Sequence, residues 1–301
     1  MNTPSNAIPE PSRQWPAPAA ISGTRRMYWS VRRELWENRS IYIAPLAVAA
    51  LVLVGFLIAT IGRAMATRNL VQRQAVLEEP YTFAMGVIMV TAFIVSIFYS
   101  LDALHGERRD RSILFWKSLP VSDLTTVLSK ASVPLVLLPA FGFVVVVATE
   151  WIMLLLSTTV LLGSGLSAAR LWAEVSWSQA MLLYHLVTVH ILWYAPIYAW
   201  LLLVSAWARR AAVLWAALPL FAIGIVERIA FNTSHFAALL QWRLMGGPEG
   251  GSMTGAVGTS IHPTHITPGT FLSSPGLWIG LTVAAAFLFA AVRLRRSQGP
   301  I

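Results

Sequence analysis

The sequence predicts an all-α membrane protein with six transmembrane helices, and three observations support this fold class. The chain has 301 residues, of which 56% are hydrophobic and only 12% are charged, whereas a soluble domain has roughly a quarter charged residues. Six stretches are long and apolar enough for a helix to cross roughly 30 Å of hydrocarbon. Basic residues are concentrated in alternate loops between these stretches. Because the apolar side chains of such a chain face lipid, we predict one membrane domain rather than two soluble ones.

The six predicted spans differ in length. They lie at about 41–61, 83–101, 131–162, 178–206, 211–229 and 277–292. The third and the fourth have about 30 residues each, which is too long for one perpendicular span and too short for two spans with a turn. We therefore predict one tilted helix for each, kinked at Pro134, Pro139 or Pro196, because a proline removes a backbone hydrogen bond.

The distribution of Lys and Arg predicts the orientation of the chain. Sixteen of the 22 basic residues lie in the N-terminal region, the second-to-third loop, the fourth-to-fifth loop and the C-terminal group Arg293, Arg295 and Arg296. The opposite loops hold only six, so the positive-inside rule puts both termini in the cytoplasm, at the inner (plasma) membrane. The last three arginines are expected to snorkel to the membrane surface, because the sixth span is short. This asymmetry explains the net charge of +9 without a nucleic-acid partner, and membrane lipid is expected as a partner instead.

Three segments outside the spans have patterns of their own. Residues 1–23 are rich in Pro, Ala and Ser and lack the apolar stretch of a signal peptide, so they predict a disordered cytoplasmic tail. From 24 to 39, three apolar residues recur at four-residue spacing (Met27, Val31 and Leu35), which predicts a helix lying in the membrane interface. Between the fifth and sixth spans, residues 230–275 form an outer loop whose first part is amphipathic, and a short membrane-dipping helix is predicted there.

The loop at 102–130 combines charges of both signs with five large apolar residues. The apolar side chains precede or flank the break at Pro120: Ile113, Leu114, Phe115, Trp116 and Leu119. One interpretation is a short helix whose apolar face docks into a groove on a cytoplasmic partner, while the charges at 107–111 pair at the rim of that groove. The other is a helix resting on the headgroups, with its arginines bound to anionic lipid. The residues alone leave both interpretations open.

The same loop resembles that of a known family. The runs GERRDRS (106–112) and SLPVSD (118–123), placed just before the third span, are similar to the cytoplasmic loop of ATP-binding-cassette transporter permeases of type 2, the ABC-2 family. The layout of the whole chain also resembles that family, with six spans, inside termini, an interfacial helix and a membrane-dipping element before the last span. Trp116 and Lys117 are less typical, which favours one particular ATPase partner.

The resemblance implies an exporter permease driven by a separate ATPase chain. Its coupling helix, which receives the motion of that ATPase, would involve a set of matching residues: Glu107, Arg108, Arg109, Asp110, Arg111, Ser118, Leu119, Pro120, Val121 and Ser122. The translocation path would form between two permease copies, or between the chain and a paralogue. ATP and Mg would be bound by the partner, and no cofactor is expected in this chain.

Several activities are not supported by the sequence. A phosphate-binding GxxxxGK[ST] loop is absent, since Lys117 follows Trp116 and Lys130 follows Ser129, so the chain is not predicted to be the ATPase. There is no cysteine, which excludes disulfides and thiolate metal sites. No GxSxG or HExxH motif occurs, so neither catalysis nor a metal is expected.

Three ionisable residues fall within predicted spans, where a charge costs at least a few kcal/mol. Glu150 sits deep in the third span, and His185 and His190 lie in the fourth. One interpretation is a proton or substrate relay, which would make the chain a membrane-embedded enzyme, or an assembly or sensor protein, acting through Glu150 and His190. The other is an interhelical polar bond that fixes packing, and this is favoured because a single carboxylate makes a poor pathway.

Overall fold

The computed structural model describes residues 22–66, 70–118, 121–163, 167–244, 268–297 and 299, and only the backbone of 61–66, 70–79 and 270. The predicted tail at 1–23 therefore lies almost wholly outside the described residues. The same holds for most of the predicted outer loop, at 245–267, and for Leu119 and Pro120 of the loop between the second and third spans.

All secondary structure in the described part of the chain is helical. In chain order the helices are α1 (Gly23–Glu37), α2 (Ser40–Ala66), α3 (Leu70–Asp102), α4 (His105–Arg109), α5 (Ile113–Ser118), α6 (Asp123–Ser132), α7 (Leu138–Gly163), α8 (Ala169–His185), α9 (Ala195–Trp207), α10 (Ala212–Phe231), α11 (His235–Leu244), α12 (Pro268–Ser273) and α13 (Pro275–Ser297). Two π-helical segments, Val133–Leu137 and Leu186–Trp193, join α6 to α7 and extend α8.

Six helical stretches are long and apolar enough to cross a membrane, which confirms the helical class and the number of spans. They are Ser40–Thr60, Pro80–Arg109, Asp123–Gly163, Ala169–Trp193, Ala212–Phe231 and Pro275–Ser297, called spans 1 to 6 below. The chain is thus a multi-pass membrane protein.

Span 3 begins earlier than the sequence indicated. The predicted start at 131 is wrong, because α6 already begins at Asp123, where the Ser122 hydroxyl caps the helix by accepting a hydrogen bond from the Thr125 N–H (3.1 Å). The helix then continues through the π segment at 133–137 to Gly163. The charges at its start hid this extension, since Asp123 and Lys130 look like loop residues in a hydropathy profile.

The prediction of one tilted helix over 178–206 is also wrong. Helix α8 begins at Ala169, becomes a π-helix at Leu186 and stops at Tyr194, after which α9 restarts at Ala195. Pro196 lies in the first turn of α9, where its missing N–H needs no partner. The proline therefore separates two helices instead of bending one.

The bundle has two ends, which are named here by their helices. At the α1 end lie α1, α4, the start of α6 and the end of α13, which share the ion pairs described below, and α5, whose Trp116 contacts Arg33 of α1. At the α11 end lie α11 and the start of α13. Between them, α9 packs along α13, and α3 packs against both α2 and α7.

Candidate functional site

Helix α4 is attached to the end of α9 by hydrogen bonds. These bonds involve backbone groups at the helix ends that have no partner within their own helix. The Ser205 hydroxyl accepts from the N–H groups of Leu104 and His105, both at 2.9 Å. Arg108 Nη1 donates to the carbonyls of Ala206 (2.6 Å) and Ala208 (3.3 Å). The first N–H groups and the last carbonyls of a helix lack partners within it, so these contacts fix the position of α4.

Behind α4 lies a group of six charged residues, called the ion cluster here: Arg33, Glu34, Glu107, Asp123, Lys130 and Arg295. Lys130 Nζ lies between two carboxylates, 2.9 Å from Glu34 Oε1 and 3.1 Å from Glu107 Oε1. Arg295 binds Glu107 on the other side and reaches Asp123 with its Nε at 3.1 Å. The cluster thereby joins α1, α4, α6 and α13.

The ion cluster is electrically balanced, with three cations and three carboxylates, and all its members except the half-buried Arg33 and Asp123 are buried. The side chains of Glu34, Lys130 and Arg295 are each at most 3% exposed. Arg33 Nη2 adds bonds to Glu34 (2.6 Å) and Glu107 (3.3 Å), and the Tyr99 hydroxyl donates to Glu34 (2.8 Å). Removing one partner from such a network leaves an uncompensated buried charge, which costs about 3–5 kcal/mol.

The pKa of Glu34 shows which effect dominates at this position. Burial by itself raises the pKa of this carboxyl, but the charges and hydrogen bonds of Lys130 and Arg33 more than offset burial, so the pKa lies below its ordinary value. Glu34 is therefore ionised at neutral pH, as the balance of the ion cluster requires.

Helix α5 presents one side to the ion cluster and the other to the surroundings. Arg111 stands between α4 and α5 with φ of 58°, in the left-handed region that few residues other than glycine adopt. Ile113 is buried, and the Trp116 ring lies under the Arg33 guanidinium, 3.9 Å from centroid to Cζ. Leu114 and Phe115, by contrast, are 59% and 60% exposed. We call this exposed pair the apolar tip.

The structure separates the ten predicted coupling residues into different environments. Glu107 and Arg108 are buried and bonded within the chain, so the prediction that they pair with charges on a partner differs from the structure. Exposed positions are Arg109, Asp110, Arg111, Ser118 and Ser122, while Val121 is half-buried. Leu119 and Pro120 lie outside the described residues.

Five members of the ion cluster were missed as site residues: Arg33, Glu34, Asp123, Lys130 and Arg295. Arg295 in particular was expected to snorkel but is buried, whereas Arg293 and Arg296 are exposed. One signal did exist, since Glu34 lies three residues after Val31 and therefore on the apolar face of α1. The others could not be identified, because their partners are up to 188 residues away in the chain.

Glu150 lies toward the α11 end of span 3. Nineteen residues without an ionisable side chain separate it from Lys130, which places it about 30 Å along the helix. Its Oε2 accepts from Gln179 Nε2 at 2.8 Å, and its buried Oε1 has no partner among the described residues. This is an interhelical polar bond between α7 and α8.

His190 compensates for a backbone defect in span 3. In the π segment the Leu138 N–H bonds to the Val133 carbonyl, five residues back, so the next donor in that pattern would be residue 139. Residue 139 is proline and has no N–H, which leaves the Pro134 carbonyl without a helical partner. His190 Nε2 lies 3.3 Å from this carbonyl and 3.1 Å from the Tyr198 hydroxyl. These contacts give His190 a structural role that does not involve a proton relay.

The three intramembrane candidates do not form a common site among the described residues. Glu150 bonds to Gln179, whereas His190 bonds to Pro134 and Tyr198. His185 is buried as well. No group of three or more His, Asp or Glu able to hold a metal ion occurs in the part of the chain that was described.

Comparisons of the chain with protein-family models, with curated proteins and with solved structures find no match. The class of the protein, a helical multi-pass membrane protein, therefore follows from its own helices.

Proposed function

We propose that the chain is the permease subunit of an ATP-binding-cassette exporter of the ABC-2 type, driven by a separate ATPase. The observation that carries this proposal is the apolar tip on α5, which is exposed on one side and tied on the other to the buried ion cluster. A merely solvated loop gains nothing from two exposed large apolar side chains in this position. A tip that docks into a groove on an ATPase would account for them.

The path by which motion would reach the membrane follows from the contacts. Trp116 links α5 to Arg33, and the ion cluster links Arg33 and Glu107 to α6 and α13. Because α6 continues into span 3 and α13 is span 6, a displacement of the tip would move both spans and α1 together. In this proposal Glu107 and Arg108 transmit the displacement from within the permease.

The translocation path is proposed to form between two copies of the chain or with a paralogue. Span 5 is apolar on nearly all sides yet has only Ala212 and Ala216 buried in the single chain, and Ile229 is 80% exposed. Lipid or a second copy can cover such a helix. The apolar walls favour an amphipathic or lipid-like molecule, or a peptide, as the exported substrate.

The test uses the chain expressed in its source cell and isolated with its partners in mild detergent. We expect an ATP-binding-cassette ATPase to co-purify and to hydrolyse ATP. The double variant Leu114→Asp with Phe115→Asp should lose both the ATPase and the ATP turnover. The matched control, Leu114→Met with Phe115→Leu, keeps the tip apolar and should retain both. Unchanged turnover in the Asp variant would contradict the proposal.

The proposed orientation puts the α1 end and both termini in the cytoplasm, at the inner (plasma) membrane. The chain has no cysteine, so a single introduced thiol can be labelled without background. Ser118 and Ser167 are exposed and lie at opposite ends of the spans. A membrane-impermeant maleimide added to intact cells should label Ser167→Cys and spare Ser118→Cys. The reverse pattern would place the apolar tip on the wrong side for an ATPase.

A further inference from the structure

At the α11 end, two aromatic side chains of span 4 and its junction with α9 hold the end of α11. Trp193 Nε1 donates to the Arg243 carbonyl at 3.0 Å, and the Tyr194 hydroxyl donates to the Leu244 carbonyl at 2.9 Å. The Trp242 ring meets the Trp193 ring edge-on, with centroids 4.6 Å apart. These contacts satisfy two of the last carbonyls of the helix and fix the position of Arg243.

The Arg243 side chain is turned inward, where it is only partly satisfied. The residue is 9% exposed, and its guanidinium lies over the Trp193 ring at 4.1 Å from the centroid. Nη1 donates to the Gly276 carbonyl at 2.9 Å, but Nη2 is buried and has no hydrogen-bond partner among the described residues. A Cβ at Gly280 would overlap the guanidinium, so α13 carries a glycine where this side chain approaches.

This arginine also has no counter-charge in the described part of the chain. Among the described residues the acid nearest in sequence is Glu227, which is engaged elsewhere, since it accepts from the Thr233 hydroxyl and from the N–H groups of His235 and Phe236; Glu249 lies outside the described residues. Burial lowers the pKa of Arg243 to about 10, so the side chain remains charged at neutral pH. A buried cation left without an anion is strongly unfavourable, and a planar guanidinium is suited to a carboxylate or a phosphate.

The surface around Arg243 is apolar and aromatic. Exposed apolar side chains occur on the three helices at this end: Leu239, Trp242 and Leu244 on α11, Leu272 on α12, and Trp278 on α13. Tryptophans with one apolar and one polar side are typical of the boundary between hydrocarbon and headgroups. Such a rim suits an acyl chain beside an anionic group better than it suits a hydrated free ion.

We propose that Arg243 binds the anionic headgroup, a phosphate or a carboxylate, of an amphiphile whose apolar part lies against Trp242, Trp278 and Leu272. Access to Nη2 requires a local movement, and the Trp242 ring, which is 44% exposed and lies against Gly276, is the neighbour placed to turn aside. The site is at the α11 end and does not depend on the proposed ATPase partner.

The experiment measures thermal unfolding of the full chain, purified in a neutral detergent. The additions are phosphatidylglycerol, phosphatidylcholine or inorganic phosphate. Three proteins are compared: the wild type, Arg243→Gln, and the control Arg228→Gln, which removes an exposed arginine from the same end. Phosphatidylglycerol should raise the Tm of the wild type and the control by several degrees, and that of Arg243→Gln by less than half as much.

The other arms identify the ligand. Phosphatidylcholine and inorganic phosphate should leave the Tm of the wild type nearly unchanged. An equal rise with inorganic phosphate would overturn the assignment to an amphiphile, and an equal rise with phosphatidylglycerol in all three proteins would overturn the site itself.

A second variant covers the case in which Arg243→Gln does not fold. Arg243→Lys keeps the charge but lacks the planar fork, and its preference for phosphatidylglycerol over phosphatidylcholine, measured by native mass spectrometry, should fall at least tenfold. A preference equal to that of the wild type would contradict the proposal.

Without added lipid, Arg243→Gln should unfold at a temperature no lower than the wild type, because the substitution removes an uncompensated charge. If the arginine had only a structural role, its replacement would lower the Tm.

Discussion

The two ends of the bundle hold arginines that point into the protein in opposite ways. At the α1 end Arg33 and Arg295 share an ion cluster with three carboxylates, and every carboxylate has at least one cation within 3.1 Å. At the α11 end Arg243 has a tryptophan face and a backbone carbonyl, but no carboxylate among the described residues. The carboxylates at the α1 end are neutralised within the chain, whereas the proposed headgroup would supply the missing anion at the α11 end.

Loss of charge balance in the ion cluster should lower the stability of the chain most. Lys130→Met removes the cation between Glu34 and Glu107, and we expect the free energy of unfolding in detergent to fall by about 3–5 kcal/mol, because two buried carboxylates then face each other. Chemical unfolding followed by tryptophan fluorescence measures this change. The control Arg296→Met removes a 61% exposed arginine 3.9 Å from Asp123 and should cost about 0–1 kcal/mol.

A double variant shows whether that loss comes from charge. Adding Glu34→Gln to Lys130→Met removes one of the two opposed carboxylates, so part of the lost stability, about 1 kcal/mol or more, should return. If the free energy of unfolding of the double variant is instead lower than that of Lys130→Met, the stability of the ion cluster does not depend on charge balance.

A substitution at Gly280 should have a moderate effect, and it tests the position of the Arg243 side chain at the α11 end. Gly280→Ala puts a methyl group where the Arg243 guanidinium lies, and because that side chain can swing away, the expected loss of unfolding free energy is only about 1 kcal/mol. The displaced guanidinium should, however, lose the stabilisation by phosphatidylglycerol. Gly224→Ala is the matched control, since a Cβ there meets nothing within 4 Å, and it should keep the lipid effect.

Acid should have the weakest effect on the thermal stability of the chain. The pKa of Glu34 is lowered in the folded chain, so the stability that it contributes is fully present above its ordinary value of about 4.5 and is lost as the pH falls through the lowered value. The Tm should therefore fall more steeply below pH 4.5 in the wild type than in Glu34→Gln. Arg243 stays charged throughout this range, so Arg243→Gln should show the wild-type slope. Equal slopes in wild type and Glu34→Gln would mean that Glu34 is not ionised.

The sequence predicted the parts of the fold that depend on local composition. Six apolar stretches gave six spans, because crossing hydrocarbon imposes a length and a polarity that no neighbouring residue can supply. The ends of spans 3 and 4 were wrong, since Asp123 and Lys130 begin a helix while carrying charge, and Pro196 starts a helix instead of bending one.

The candidate site was predicted only in part, for a different reason. The 102–130 loop was identified by its composition, and the exposed Leu114 and Phe115 agree with an apolar face on that loop. The connection of this loop to the bundle was not predicted, because Lys130 and Glu34 are 96 residues apart in the chain. The sequence around either residue does not distinguish a buried charge from a solvated one. Glu34 was the exception, since its place on the apolar face of α1 could have been noticed.

The bond between His190 and the Pro134 carbonyl limits how this bundle can change shape. If spans 3 and 4 slid apart, that carbonyl would enter lipid without a donor, and an unsatisfied peptide group in hydrocarbon costs several kcal/mol. The two helices are therefore expected to travel as one rigid unit. Any rearrangement of the bundle would then take place along the other helix contacts, with spans 3 and 4 moving together.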